Sequence, residues 1–418
     1  MNNNRTMNRV VVTGMGVVST LGHELSELWQ NLIAGKSGID FIEKFDTGDF
    51  DTKFAGEIKD FNPEDFIDRK EARRMDLFTQ YAIAGSELAV KDANLNFDSL
   101  DRDRIGVIVS SGIGGMETFE RQSRTLFEKG PKRISPFFIP MLISDIAPGY
   151  ISIRYGLKGP NFSTVSACAS SSHAIGEAFR NIQRGDADVM LCGGAEATIT
   201  PLGIGGFNAM KALSTRNDAP QKASRPFDKN RDGFVMGEGA GIIVLESLEH
   251  ALNRGAEIYA EVGGVGYTAD AYHITAPAPN GEGAVSAMKK AIQDAGIEPQ
   301  EIDYINTHGT STPHGDIAEI KAIKTVFSDH AYKLNINSTK SLVGHLLGAS
   351  GGLEFIVTVL TINENVVHPT INQEEPDPEC DLNTTANEFQ KRQVNTAISN
   401  SFGFGGHNVS AVIKKYST

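Results

Sequence analysis

The sequence predicts an α/β fold that is assembled from two copies of one half-fold, and three observations predict it. Apolar runs rich in β-branched residues alternate with stretches whose apolar residues recur at helical spacing, which is typical of α/β proteins. Short motifs also occur twice, in the same order, in the two halves of the chain. Finally, 418 residues are more than a single core usually accommodates. Together these observations indicate a duplicated α/β chain.

The predicted elements follow in chain order from these patterns. Strands are predicted over Val10–Thr13, Ile105–Ser110, Val189–Cys192, Gly241–Leu245, Tyr259–Val265, Tyr304–Thr307, Ala397–Ser399 and Val409–Ile413. Helices are predicted over Glu24–Ala34, Asp76–Ala93, Ser171–Arg184, Ala284–Ala295, Asp316–Val326 and Gly351–Ile362. We place the boundary between the halves near Asn253–Glu257, which gives an N-terminal domain of residues 1–255 and a C-terminal domain of residues 256–418.

The repeated motifs also relate particular residues of the two halves. Ala89–Leu95 resembles Ala291–Ile297, and each of these segments precedes a predicted strand. Cys168–Glu177 resembles His345–Glu354, and each of these runs through small residues into an apolar helix. This second match predicts that Cys168 and His345 occupy equivalent positions. Two halves that pack about a pseudo-twofold axis would then bring both residues into one site.

Composition and charge exclude several functions. The 39 basic and 52 acidic residues give a net charge of −13, which disfavours general nucleic-acid binding. Three cysteines in so long a chain are not a disulfide framework, and no CxxC or HExxH metal motif occurs. The apolar stretch Val10–Leu21 is too short and too polar for a signal peptide or a membrane span. We therefore expect a cytoplasmic protein that binds neither nucleic acid nor membrane.

Cys168 lies at the predicted junction between a β-rich run and a helix. Backbone N–H groups and the dipole at a helix N-terminus lower the pKa of a thiol and offer hydrogen bonds to an oxyanion. A buried structural cysteine explains the same residue equally well, so this motif alone leaves both interpretations open. Cys192, in an apolar strand, and Cys380, in an acidic loop, are interpreted as structural.

Two histidines have a setting that favours catalysis. His308 ends a predicted strand in Asn-Thr-His-Gly-Thr-Ser-Thr, where Thr310 and Thr312 could bind a polar arm of a substrate. His345 precedes a turn of small residues. A single histidine is usually structural, but two at glycine-flanked junctions favour a catalytic role. The remaining histidines that we weighed are interpreted as structural or surface residues: His173, His250, His273, His314, His330 and His368.

Two further features adjoin these residues. Lys340 is either a surface residue or the buried partner of Glu354, in which case it would set the charge state of the histidine pair. The glycine-rich segment Asn400–Asn408 is either a hairpin loop or a gate, because Phe402 and Phe404 could close an apolar pocket. It lacks the Gly-Lys-Ser/Thr ending of a phosphate-binding P-loop.

Taken together, these residues resemble the β-ketoacyl-acyl-carrier-protein synthases, specifically the elongating synthase II type of bacterial fatty acid synthesis. The motifs that carry the resemblance are Ala-Cys-Ala-Ser at Cys168, Asn-Thr-His-Gly-Thr-Ser-Thr at His308 and Lys-Ser-Leu-Val-Gly-His at His345. The resemblance covers nearly the whole chain. It implies the thiolase fold, in which two βαβαβαββ halves form a five-layered αβαβα sandwich, and it implies a homodimer.

The resemblance implies an acyltransferase that works in two half-reactions and requires no cofactor. Cys168 would accept an acyl chain from acyl-carrier protein, with the backbone N–H groups of Cys168 and Phe404 as the oxyanion hole. Malonyl-carrier protein would then lose carbon dioxide with the help of His308 and His345. The resulting carbanion would attack the acyl-Cys thioester and give a β-ketoacyl chain that is two carbons longer. A Cys-His-His set is typical of the elongating class.

The resemblance also assigns supporting roles. Lys340 and Glu354 match the family's supporting pair. The predicted acyl-pocket residues are Ile113, Ala167, Phe207 and Phe138, with Phe138 reaching across the dimer. A structural cation is expected at Asn306, Glu354, Ser399 and Asn400. Docking of the acidic carrier protein is expected at Arg69, Lys70, Arg73, Arg74, Lys129, Lys132, Arg133 and Lys211, although a solvated helix face also explains the basic run 69–74.

Three rival functions are weighed against this one. A thiolase-like acyl-CoA transferase would use no malonyl group. A non-catalytic chain-length-factor partner would lack the nucleophile, so Cys168 disfavours it. A ketosynthase of a polyketide or aryl-polyene pathway would carry the same site residues. The segment Ser170–His173 departs from the usual family pattern and leaves the preferred chain length open.

Overall fold

The computed structural model describes residues 7–417. Its strands are β1 (Val10–Val18), β2 (Asp40–Phe41), β3 (Phe54–Ala55), β4 (Ile105–Ser110), β5 (Asn161–Phe162), β6 (Val189–Glu196), β7 (Gly239–Ser247), β8 (Ala260–Ala269), β9 (Tyr304–Asn306), β10 (Asn335–Asn337), β11 (Val366–Val367), β12 (Gln390–Lys391), β13 (Thr396–Gly403) and β14 (His407–Lys414). Its helices are α1 (Leu25–Ile33), α2 (Arg69–Ala72), α3 (Leu77–Asp92), α4 (Met116–Lys129), α5 (Phe138–Leu142), α6 (Ile146–Tyr155), α7 (Ser170–Arg184), α8 (Pro201–Ala209), α9 (Leu248–Asn253), α10 (Glu282–Asp294), α11 (Gly315–Phe327), α12 (Lys340–Val343) and α13 (Ser350–Glu364). Every predicted strand and helix is present.

Ten strands pair into one sheet in the order β10-β9-β13-β14-β8-β1-β7-β6-β4-β5. Each half contributes five strands, and the strands of the two halves correspond in order. Outward from the centre, the corresponding pairs are β8 with β1, β14 with β7, β13 with β6, β9 with β4, and β10 with β5. In each half the two inner pairs are antiparallel and the two outer pairs are parallel. At the centre β1 and β8 pair antiparallel, as a pseudo-twofold axis requires. The predicted duplication of one half-fold is therefore present in the strand order.

The two faces of each half-sheet pack against different helices. Val107 and Val109 of β4 pack with residues of α3 and α6 on one face. Ile108 of the same strand packs with residues of α7 and α13 on the other face, since successive side chains of a strand point to opposite sides. In the C-terminal half, Ile305 and Ile398 pack with residues of α10 and α11. Helices α7 and α13 lie between the two half-sheets, and α3, α6, α10 and α11 cover their outer faces. The layers therefore follow the order helix, half-sheet, helix, half-sheet, helix, which is the predicted five-layered sandwich.

The first of the predicted repeats is equivalent in three dimensions. Asp92, at the end of α3, accepts a hydrogen bond from the backbone N–H of Met15 at 2.8 Å. Asp294, at the end of α10, accepts one from the backbone N–H of Val265, also at 2.8 Å. In each half this aspartate therefore ties the outer helix to the innermost strand.

The second predicted repeat is displaced by three residues. Helix α7 begins at Ser170 and α13 at Ser350, and a 3-10 turn precedes each of them. Cys168 therefore corresponds to Gly348, and the predicted equivalence of Cys168 and His345 is wrong. The glutamates that suggested the match lie at different positions along the two helices. His345 reaches the same site from the segment that precedes the turn.

Within residues 7–417, no helix has both the length and the apolar character needed to cross a bilayer. The predicted boundary between residues 255 and 256 falls in the segment that links α9 to β8.

Candidate active site

Cys168 is held by a strained turn at the start of the central helix α7. The preceding Ala167 has φ +51°, a left-handed conformation that is costly for a residue with a Cβ. Gly403 of β13 packs against this turn: a Cβ there would lie 2.7 Å from the carbonyl oxygen of Ser166 and 3.1 Å from the backbone nitrogen of Cys168. Only glycine at this position lets β13 approach the turn so closely.

The structure brings Cys168, His308 and His345 together. The sulfur of Cys168 and one ring nitrogen of each histidine lie within 4.8 Å of one another, and all three side chains are buried. The imidazole centroids are 5.3 Å apart and the ring planes are nearly perpendicular, at 84°. A thiol that faces two imidazoles in a buried setting is an arrangement suited to covalent catalysis.

The hydrogen bonds of His345 determine which of its nitrogens carries the proton. Its Nδ1 accepts from the backbone N–H of Leu347 at 3.3 Å and lies 2.8 Å from Oγ of Ser350. A ring nitrogen that accepts from an N–H group bears no proton, so in the neutral imidazole the proton is on Nε2. His345 can therefore donate a hydrogen bond through Nε2.

His308 is positioned by Glu319, which sequence reasoning did not single out. The Glu319 carboxylate accepts from the backbone N–H of His308 at 2.9 Å and from that of Gly309 at 2.8 Å. The side-chain amide of Asn400 donates to the same carboxylate at 3.1 Å. The sequence offered one signal for Glu319, which is its position among the isoleucines and alanines of α11. A carboxylate that is buried there needs hydrogen-bond partners.

Both imidazoles are neutral at physiological pH. Burial lowers the pKa of His308 and of His345 well below the usual value, and the charge of Lys340 lowers both further. Lys340 forms a buried ion pair with Glu354, as the sequence suggested. Burial raises the pKa of Glu354 to about 7, although Lys340 opposes this. The cation of this pair thus disfavours protonation of the histidines.

The pKa of Cys168 shifts in the direction opposite to the one that its helix-end position predicts. Burial raises the pKa of the Cys168 thiol to about 11, while the charge of Lys340 and the backbone N–H groups of Phe404 and Cys168 lower it by less. The loss of solvent therefore outweighs the favourable contacts that a helix end offers to the thiolate. The same two backbone N–H groups are the predicted oxyanion donors, and both face the sulfur.

An apolar cavity of about 610 Å³ contains these three residues. Its lining includes the following predicted residues: Ile113, Ala167, Phe207, Lys211, Thr310, Thr312, Phe402 and Phe404. Phe138 is half-buried on α5 and does not line this cavity. His314, which we interpreted as a structural or surface residue, does line it. Phe234, which sequence reasoning did not assign to the site, packs 5.3 Å from the His345 ring.

The predicted docking residues lie on the surface. Arg69, Lys70, Arg73, Arg74, Lys129, Lys132, Arg133 and Lys211 are all exposed. The guanidinium of Arg74 lies 4.8 Å from the centre of the Phe137 ring, so the end of the basic run 69–74 adjoins the segment that leads from Lys132 and Arg133 into α5. The two basic segments therefore form one surface, and Lys211 lies where the cavity reaches the surface.

Three of the four predicted cation ligands are suited to that role. Within residues 7–417, Oδ1 of Asn306, Oε2 of Glu354 and Oγ of Ser399 are buried and have no hydrogen-bond partner. Unpartnered buried oxygens are costly, and oxygens of this kind are the ligands that hard cations prefer. The Oδ1 atom of Asn400, the fourth predicted ligand, accepts a hydrogen bond from Ser410 at 2.7 Å and keeps its second lone pair.

Known proteins are similar to this chain in sequence and in fold over nearly its whole length. The family described as "Beta-ketoacyl synthase, N-terminal domain" matches residues 7–251, and "Beta-ketoacyl synthase, C-terminal domain" matches residues 259–374. A protein of Staphylococcus aureus (strain COL) named "3-oxoacyl-[acyl-carrier-protein] synthase 2" is 57% identical over 98% of both chains.

Solved structures agree. A β-ketoacyl synthase from Burkholderia phymatum aligns with a TM-score of 0.92 at 38% identity, covering 98% of this chain and 100% of its own. A type II polyketide ketosynthase, solved in complex with its acyl-carrier protein, aligns with a TM-score of 0.91 at 36% identity over the same shares of the two chains. The chain, with its duplicated sandwich and its buried thiol facing two imidazoles, therefore belongs to the β-ketoacyl synthase family.

Proposed function

We propose that the protein is an elongating 3-oxoacyl-[acyl-carrier-protein] synthase that condenses an acyl group on Cys168 with malonyl-carrier protein. The observation that carries this function is the position of the Cys168 sulfur within 4.8 Å of two neutral imidazoles. The relative named for this activity matches the chain over its full length, which favours fatty acid elongation over a polyketide pathway.

In the first half-reaction, the sulfur of Cys168 attacks the thioester carbonyl of acyl-carrier protein. A new carbon–sulfur bond forms, and the bond to the carrier's sulfur breaks. The proton of the Cys168 thiol goes to the departing carrier thiolate. The products are therefore the acyl-Cys168 thioester and the free thiol of the carrier. The backbone N–H groups of Cys168 and Phe404 hold the oxyanion of the tetrahedral intermediate.

In the second half-reaction, malonyl-carrier protein binds and its carbon–carbon bond to the carboxylate breaks, which releases carbon dioxide. The electron pair moves onto the thioester and forms an enolate. His308 and His345 donate hydrogen bonds to its oxygen, and neutral imidazoles can do so because each retains one N–H. The enolate carbon then attacks the acyl-Cys168 carbonyl, and the Cys168 thiolate leaves and takes up one proton from solvent, which restores the thiol. Because decarboxylation supplies the carbanion, we propose that no redox cofactor is required.

The test is a reconstituted reaction of the whole protein with acyl- and malonyl-carrier protein. We expect one carbon dioxide for each new β-ketoacyl chain, measured by carbon dioxide release and by mass spectrometry of the carrier. Condensation of acyl-CoA without any malonyl substrate would instead support the thiolase-like alternative.

Thr310 and Thr312 are proposed to bind the polar arm of the carrier protein within the cavity. Their hydroxyl oxygens lie 2.9 Å apart on the loop that follows His308. The buried Arg231 supports this loop by donating to the carbonyl oxygens of Thr312, at 3.0 Å, and Pro313, at 2.9 Å. The arm's hydroxyl and amide groups would find hydrogen-bond partners here, next to the histidine pair.

The exposed basic surface formed by residues 69–74 and 129–133 is proposed to bind the acidic carrier protein. We expect Arg73→Glu to raise KM for acyl-carrier protein about tenfold while kcat changes little, because a rim charge steers association more than it affects chemistry. Steady-state kinetics at two salt concentrations measure this, and the defect should shrink at high salt.

Lys289→Glu is the matched control for Arg73→Glu, since Lys289 is an exposed cation on the outer helix α10. An equal rise in KM for both variants would contradict the proposed surface.

A homodimer is also proposed. Among residues 7–417, strand β5 forms an outer edge of the sheet and pairs with β4 alone. Several large apolar side chains near this edge are exposed: Phe137, Ile139, Ile143, Ile153, Phe162 and Val165. An edge strand within such a patch is suited to pairing with a second copy. Phe138, which does not line its own cavity, would then be close to the partner's.

We expect sedimentation equilibrium to give twice the mass of one chain. Val165→Glu should shift the protein toward monomers, because a buried charge in the interface is costly. The control is Leu252→Glu, on the exposed face of α9. A native protein that sediments as a single chain would contradict the dimer.

A structural cation at Asn306, Glu354 and Ser399 is proposed from their unpartnered oxygens. It would stabilise the region behind the histidine pair. Its binding should raise the thermal unfolding temperature in sodium, potassium or calcium chloride relative to choline chloride at equal ionic strength. Equal unfolding temperatures in all four salts would contradict the cation site.

A cytoplasmic location is also proposed, which the three free cysteines support.

A further inference from the structure

Glu196, the last residue of β6, is a fully buried carboxylate to which the mechanism above gives no role. It accepts four hydrogen bonds, all from neutral donors. Ser111 Oγ donates to it at 2.7 Å, and the backbone N–H groups of Gly112, Gly348 and Ile113 donate at 2.7, 2.9 and 3.3 Å. Burial raises its pKa to about 7.

These donors come from both halves of the duplicated fold. Residues 111–113 form the turn that follows β4, and Gly348 belongs to the 3-10 turn that precedes α13. The two turns touch directly, because a Cβ on Gly348 would collide with the backbone nitrogen of Gly112 and would lie 2.7 Å from the Glu196 carboxylate. Glu196 therefore joins two backbone segments that no side chain separates.

Each of these segments reaches the reacting groups. Ile113 and Leu347 both line the cavity next to Cys168. The backbone N–H of Leu347 is the donor to Nδ1 of His345, and it immediately precedes the Gly348 N–H that Glu196 binds. A displacement of this turn would therefore move the donor that fixes the proton of His345 on Nε2.

We infer that Glu196 is a positioning residue that holds the Ile113 wall of the acyl pocket against the turn that orients His345. This inference rests on the proposed function of His345 in malonyl decarboxylation. Glu196 does not touch the reacting atoms. Its loss should therefore impair the malonyl half-reaction more than the chemistry of the Cys168 sulfur, which a separate turn holds.

The test compares Glu196→Ala and Glu196→Gln in the full-length protein. Malonyl decarboxylation should fall about 100-fold in Glu196→Ala, since misplacement of a catalytic group by about 1 Å costs this much. Alkylation of Cys168 by iodoacetamide should not fall, because the charge of Glu196 raises the pKa of the Cys168 thiol and its removal favours the thiolate. Glu196→Gln should recover most of the decarboxylation, because its amide oxygen can accept from Gly112 and Gly348 while its NH2 group donates to Ser111, and only the longest bond, from the Ile113 N–H at 3.3 Å, is lost.

Asp92→Ala is the matched control, because Asp92 also accepts a backbone N–H, from Met15, at a distance from the site. Both rates should stay near native in this variant. Equal losses of decarboxylation and alkylation in Glu196→Ala, or no recovery in Glu196→Gln, would show a merely structural role and overturn the inference. If the native protein itself failed to decarboxylate malonyl-carrier protein, the proposed function would fail instead.

A second variant keeps the inference testable if Glu196→Ala does not fold. Gly348→Ala places a Cβ against the backbone of Gly112 and pushes the two turns apart while Glu196 remains. We expect the same imbalance, with decarboxylation falling and Cys168 alkylation retained. Native rates of decarboxylation in a folded Gly348→Ala protein would overturn the inference.

Discussion

Cys168→Ala is expected to abolish acyl transfer, with a loss of at least about 1,000-fold, because no other side chain in the cavity can form the thioester. The fold should persist, since the substitution removes a single sulfur atom from the turn before α7. Transfer is measured as the mass increase of the protein after incubation with acyl-carrier protein, and folding by thermal unfolding. Decarboxylation of malonyl-carrier protein should survive, because the Cys168 sulfur takes no part in that bond cleavage.

Cys380→Ala is the matched control, because this thiol is also buried and free but lies outside the cavity. Acyl transfer should remain near the native rate in this variant. If Cys168→Ala still acquired one acyl group at the native rate, Cys168 could not be the nucleophile.

Replacing either His308 or His345 with Ala is expected to reduce malonyl decarboxylation by at least about 100-fold, since each removes one hydrogen-bond donor to the developing enolate oxygen. Acylation of Cys168 should fall much less, because the backbone N–H groups of Cys168 and Phe404 remain. Carbon dioxide release and protein mass measure the two half-reactions separately.

His330→Ala serves as the control for the histidine variants. His330 is half-buried and hydrogen-bonds the carbonyl oxygen of Ile302, away from the cavity. Its decarboxylation rate should match that of the native protein. Unimpaired decarboxylation in both His308→Ala and His345→Ala would refute the role of the histidine pair.

Local patterns in the sequence were sufficient to predict the central elements of the fold. The apolar runs of β4, β6 and β7 are buried on both faces and could be located from composition alone. Strands β5 and β10 span two and three residues, which is too short for any periodicity to be visible. Helix α8 contains three glycines, which disfavour a helix, and begins at a Thr200 side-chain cap and Pro201.

The residues of the site were predictable to the extent that their neighbours in the chain are unusual. Cys168, His308 and His345 stand next to small residues and glycine, and this marked all three. Glu196 and Glu319 act on backbone groups of distant segments, so their partners are visible only in three dimensions. The pKa of Cys168 depends on how completely the cavity excludes water, which its position at a helix end does not reveal.

The account as a whole depends on the identity of the acyl-carrying atom. The most direct test is peptide mapping by mass spectrometry after the native protein has reacted with acyl-carrier protein alone. We predict one acyl group on the peptide that contains Cys168, and its disappearance when malonyl-carrier protein is added. An acyl group on any other peptide, or one that malonyl-carrier protein does not discharge, would contradict the proposed mechanism.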